Sequence, residues 1–73
     1  MNAEEAARYV AIQIRLRRRI AGFTSCQLAR ASGIGPERMQ SIEAGRTTVS
    51  WPDLTRIASA LGCEVSTLFE GIA

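Results

Sequence analysis

Residues 24–46 read TSCQLARASGIGPERMQSIEAGR, and this stretch decides what fold the chain can adopt. Thr24 is a hydroxyl N-cap, and Gln27 three residues later completes a capping box in which two side chains satisfy orphan backbone donors. Leu28, Ala29 and Ala31 give the helix that follows an apolar side. Gly33 ends it as a residue tolerant of positive φ, and Ile34 is the apolar residue of the turn. Gly35 leads into Pro36, which suits a first helical position because its missing N–H has no partner there. Met39 and Ile42 recur three residues apart and face inward, Arg38, Gln40 and Ser41 point away from them, and Gly45 closes the second helix. A short helix, a glycine turn and a second helix with a polar outer face form a helix-turn-helix, compact enough to enter a DNA groove.

On the N-terminal side, residues 3–21 read as one long helix without internal Gly or Pro, closed by Gly22. Its apolar residues fall into two stripes. Val10, Ile14 and Ala21 make one; Tyr9, Ile12, Leu16 and Ile20 make the other, with Gln13 and Arg17 interrupting the middle. The resulting face is wider than one packing surface needs. A small core wrapping the helix closely accounts for it, and so does a partner chain on the second stripe. Phe23 reads as a core anchor.

On the C-terminal side, residues 46–49 form a loop. Ser50 looks like the N-cap of a fourth helix, with Asp53 as its reciprocal acid and Pro52 in the permissive first turn. Leu54, Ile57, Ala58 and Leu61 would face inward, Gly62 would stop the helix, and Trp51 would cover the core edge. A last helical turn or two, residues 65–69, carries Val65, Leu68 and Phe69. The expectation is a single all-α domain over residues 1–73, a compact five-helix bundle with its helix-turn-helix core at 24–46 and a candidate dimerisation region at 64–73.

Composition narrows the function. Apolar residues are 47% and charged residues 22% of the 73, as in a globular chain. No apolar run approaches the roughly 20 residues of a membrane span. Glu4 and Glu5 stand where a signal peptide would be basic, so a cytoplasmic location is expected. Against seven acids, nine arginines carry all the positive charge for a net +2, and all but Arg56 lie between Arg8 and Arg46. A basic N-terminal two-thirds that contains the helix-turn-helix suits phosphate contact. For Arg8, Arg15 and Arg19 a solvated helix face explains the charge equally well. Without histidine or lysine there is no His-based acid–base or metal chemistry, no P-loop and no Schiff base. The acids are scattered, so no enzyme, cofactor, metal or small-molecule ligand is expected. Cys26 and Cys63 match no metal spacing and read as reduced thiols packed as small apolar groups.

The pieces IR and RR in the first helix, then GFTSCQLA, SGI, PERMQSIEAGR and LTRIASALGCEVSTLF, lie at specific separations. Over residues 14–69 they resemble the Cro/phage-repressor type of helix-turn-helix, the Xre-like family with its lambda-repressor-like DNA-binding domain. The resemblance implies a core of Ala29, Ile34, Met39, Ile42, Leu54, Ile57, Ala58 and Leu61. It implies a structural ion pair between Arg18 and Glu43, with Arg18 also near the DNA backbone. Ser25, Arg46 and Thr47 would join Arg18 in contacting phosphate, Ser25 through its hydroxyl and its N–H at a helix N-terminus. Pro36, Glu37, Arg38, Gln40 and Ser41 would face the groove. Gln40 is the best placed to read a base edge, Arg38 suits guanine or phosphate, and Glu37 suits either cytosine N4 or the positive end of its own helix. Val65, Leu68, Phe69 and Ile72 would form the dimer surface, with the second stripe of the first helix as the other candidate.

The function expected is a sequence-specific regulator of transcription that binds double-stranded DNA as a homodimer on a pseudo-palindromic site, its own promoter being the first to test. Among relatives it would resemble the small stand-alone controller proteins of restriction–modification systems, phage Cro-type repressors or antitoxin-type regulators. The competing reading is a helix-turn-helix module that binds a protein partner, antiactivator- or antitoxin-like, with weak or no DNA binding.

Overall fold

The computed structural model describes residues 2–70. Four α-helices follow one another, α1 Ala3–Ile20, α2 Ser25–Ser32, α3 Pro36–Glu43 and α4 Trp51–Leu61, and a 3-10 helix closes the described chain at Val65–Phe69. The fold is therefore all-α, but its fifth element is not an α-helix. Five residues without a side-chain cap are too few to close a run of i to i+4 bonds, and the tighter i to i+3 geometry takes over. No described helix is long and apolar enough to cross a membrane.

Local chemistry accounts for the helix ends. The α1 N-cap is Asn2, whose side-chain oxygen accepts the Glu5 N–H at 2.8 Å. Glu4 and Glu5 stand in the first turn of α1 and Arg17, Arg18 and Arg19 in its last, each favourable to the helix dipole. Both halves of the Thr24–Gln27 capping box are formed, at 3.1 and 2.8 Å. Gly33 adopts φ 71°, and Ile34 donates back to the Ala29 carbonyl while burying its side chain, a Schellman end to α2. At Ser50 only half of the expected box exists. The Ser50 hydroxyl accepts from Asp53 N–H at 3.4 Å, but the Asp53 carboxylate turns instead to two guanidinium groups, Arg38 and Arg56.

The core is built from one face of each helix. Val10 and Ile14 of α1, Leu28 and Ala29 of α2, Met39 and Ile42 of α3, Leu54, Ile57 and Ala58 of α4, Ile34 of the turn and Leu68 of the 3-10 helix are buried together. Phe23, Val49, Leu61, Val65 and Phe69 are half-buried against them. Three expectations fail here. Leu68 is fully buried, so it belongs to the core of its own chain and cannot be a dimer contact. Trp51 is 66% exposed rather than packed, because the first residue of α4 projects past the end of the core. Cys26 is exposed on the first turn of α2, and only Cys63 packs against apolar neighbours.

The open question about α1 is also resolved for the single chain. Ala7, Val10, Ala11 and Ile14 are its buried residues, whereas Ile12, Leu16 and Ile20 lie on the other side, 53%, 49% and 75% exposed. Tyr9 is half-buried, its hydroxyl donating to the Glu70 carbonyl, and Arg17 reaches the Glu70 carboxylate at 3.4 Å. Arg17, which breaks the stripe, ties α1 to the residue that follows the 3-10 helix.

Candidate nucleic-acid interface

Glu43 sits at the end of α3, 7% exposed, where three elements meet. Its carboxylate accepts from Arg18 Nε of α1 at 2.8 Å and from the Ser25 hydroxyl of α2 at 2.6 Å. Arg18 Nη1 also donates to the Phe23 carbonyl at 2.8 Å. A buried carboxylate is tolerated only when paired and hydrogen-bonded, and here both oxygens are used. The cluster fixes the C-terminal end of α3 against the N-terminal end of α2. It also limits what its members can offer a ligand. The one hydroxyl proton of Ser25 is spent on Glu43, so the group left for a phosphate is its backbone N–H in the first turn of α2. Arg18 is held by two bonds, which leave Nη2 and the second Nη1 hydrogen to donate elsewhere.

On α3, Met39, Ile42 and Glu43 turn inward. Pro36, Glu37 and Gln40 are exposed and Ser41 is half-buried. Positions 36, 37, 40 and 41 lie on one side of the helix by their spacing of three and four, so four of the five expected groove residues share it. Arg38 differs. Its guanidinium lies on the buried carboxylate of Asp53 in α4, which Arg56 also approaches at 3.7 Å. Arg38 is thus anchored on the flank of α3 toward α4 and is not a freely projecting reader. The two residues are fifteen apart on different helices, and only their both lying near the start of a helix hinted at the pairing.

The loop after α3 begins with the same device that ended α2. Gly45 adopts φ 71° and donates to Ile42, and Arg46 N–H returns to the Ser41 carbonyl at 3.1 Å. Arg46 is left exposed beside the end of α3, while Thr47 is half-buried with its hydroxyl on the Thr48 carbonyl at 3.3 Å. Arg46 has no acidic partner among the described residues. Of the expected dimer residues, Val65 and Phe69 keep part of their surface, Leu68 keeps none, and Ile72 lies outside the described residues. No group of three metal-ligating side chains occurs among the described residues.

Comparison with known proteins agrees with this geometry. No curated protein sequence matches the chain. Among solved structures, it is similar to the clp gene regulator ClgR from Corynebacterium glutamicum, with a TM-score of 0.84 and 30% sequence identity over 88% of this chain and 68% of that one. The Helix-turn-helix domain family matches residues 10–68. With more than half of its length matched, the chain belongs to the helix-turn-helix domain family.

Proposed function

We propose that this protein is a sequence-specific double-stranded-DNA-binding regulator of transcription, of the Cro/repressor type, acting as a homodimer on a pseudo-palindromic operator. The observation that carries this reading is the polar face of α3. Glu37, Gln40 and Ser41 stand on a helix whose other side is locked into the core, so their positions are preorganised for a groove. The similarity to a clp gene regulator supports the regulatory role.

In this reading the contacts divide by kind. Arg46, the first N–H groups of α2 and the remaining Arg18 nitrogen meet phosphates and set register, with Thr47 offering its backbone. Gln40 reads a base edge, with Glu37, Ser41 and the Pro36 ring beside it, and Arg38 meets the backbone or a guanine from the position Asp53 gives it. The described chain is 30 Å in its longest dimension and offers one recognition helix. Two half-sites centred one DNA turn apart, about 34 Å, therefore call for two copies.

The test is a gel-shift titration with the fragment upstream of its own gene and a scrambled fragment, at two salt concentrations. Selective binding that weakens steeply with salt is expected, since phosphate neutralisation releases counterions. Failure of the folded protein to bind either fragment would sink the proposal and favour a protein partner.

A further inference from the structure

We infer that the outer face of α1 is a self-association surface, on which α1 of a second copy docks antiparallel about a two-fold axis at Ile12. This deepens only the homodimer part of the proposed function and needs no DNA. Ile12, Leu16 and Ile20 are the only large aliphatic side chains of the described residues left exposed, and they lie together on one helix. At about 100° per residue they point almost opposite the buried face of α1, so no rearrangement of this chain's core can cover them. Scattered exposed apolar residues need no explanation, but a contiguous stripe marks a contact.

Charge identifies the occupant. Glu5 and Arg19 stand seven residues before and seven after Ile12, on the same side of the helix. Neither has an ion partner among the described residues, a state shared on α1 only by Arg15, whereas Glu4, Arg8, Arg17 and Arg18 are each committed within the chain. A two-fold axis through Ile12 exchanges these positions, so Glu5 of each copy meets Arg19 of the other. Ile12 then packs on itself, and Leu16 falls beside the half-exposed Tyr9 ring of the second copy. Ile12 is also within one residue of the middle of α1, so this register overlaps the two helices along their whole length. A parallel pairing would set Glu5 against Glu5 and Arg19 against Arg19. The helix dipoles likewise favour the antiparallel arrangement. The shallow groove between Ile20, Ala21, Leu61 and Cys63 extends the apolar area at each end.

One helix pair buries less than a standard interface, so a weak, reversible dimer is expected, with a dissociation constant on the order of 10–100 µM. Sedimentation equilibrium on the full chain, without DNA, tests it. The parent should show a monomer–dimer equilibrium. Leu16→Asn should weaken it at least tenfold with an unchanged helical circular-dichroism spectrum, because Leu16 makes no core contact. Glu5→Arg should weaken it several-fold, and adding Arg19→Glu should restore the parent value, since both ion pairs re-form in reversed sense. A parent that stays monomeric up to about 1 mM, a Leu16→Asn dimer as tight as the parent, or a charge swap without recovery would each overturn the inference. Because DNA is absent from every arm, such a failure leaves the DNA-binding reading standing, and a failed gel shift leaves this one standing.

Discussion

Glu43 concentrates more of the fold in one side chain than any other described residue. Its two oxygens join α1, α2 and α3 in a place that water barely reaches. Removing one partner of a buried pair leaves the other charge uncompensated, at a cost of about 3 kcal/mol. Arg18→Ala should therefore lower the midpoint of thermal unfolding by roughly 12–24 °C in a domain of this size. The double change Arg18→Met with Glu43→Leu should recover most of that loss, because well-packed apolar residues can replace an ion pair. A melt of Arg18→Ala within a degree or two of the parent would show that the pair carries no such weight. The Arg18–Glu43 pair could be anticipated from sequence only through family resemblance, and the Ser25 hydroxyl as its third member not at all. Nothing in the sequence distinguishes a serine that caps or meets phosphate from one that donates to a carboxylate eighteen residues away. The same blindness hid the pairing of Arg38 with Asp53, since contacts between helices depend on how the helices cross.

At the scale of elements, the helix boundaries were legible because they are written in local chemistry. Thr24, Gly33, Pro36, Ser50 and Gly62 each sit where a cap, a left-handed end or a first-turn proline was expected. The five-residue run 65–69 carries no period long enough to tell a 3-10 helix from a turn of α-helix, so only its helical character is legible. Gly45 adds a constraint beyond its φ of 71°. A Cβ there would lie 3.2 Å from the Arg8 Cα and 3.2 Å from its Cγ, so the end of α3 rests directly on the α1 backbone. Gly45→Ala combines left-handed strain with this crowding and should cost about 2 kcal/mol in chemical denaturation. An unchanged denaturation midpoint would refute the close approach. The division of labour around α3 is tested by binding. Arg46→Ala should weaken all DNA sequences about equally and reduce the salt slope by about one unit. Gln40→Ala should cost about 1–3 kcal/mol on the preferred sequence alone. A changed sequence preference in Arg46→Ala would reverse the two roles.

Taken as a whole, the molecule has a small core, and its longest helix is buried on only one side. Periodicity revealed that α1 was apolar on more than one face, but periodicity cannot say which face a neighbour covers; packing decided it in favour of Val10 and Ile14. If two copies pair through the remaining face, folding and association are linked by mass action. The melting temperature of the parent should then rise with protein concentration, and that of Leu16→Asn should not. A concentration-independent parent would set folding apart from assembly.

The inward residues of α3 and its outward ones answer to different demands. Met39, Ile42 and Glu43 hold the helix in place, while the side chains of Glu37 and Gln40 are exposed, outside the core and the salt bridges of the described residues. The outward pair can therefore drift without a folding penalty, and a new operator is reachable through viable intermediates. Arg38 is outside that freedom, because an uncharged replacement leaves the buried Asp53 carboxylate with only the more distant Arg56 at 3.7 Å. A library randomised at 37 and 40 should yield mostly folded variants with diverse DNA preferences, and one randomised at 38 should be depleted of stable members. Equal survival of the two libraries in a proteolysis screen would show that the reading surface is not divided in this way.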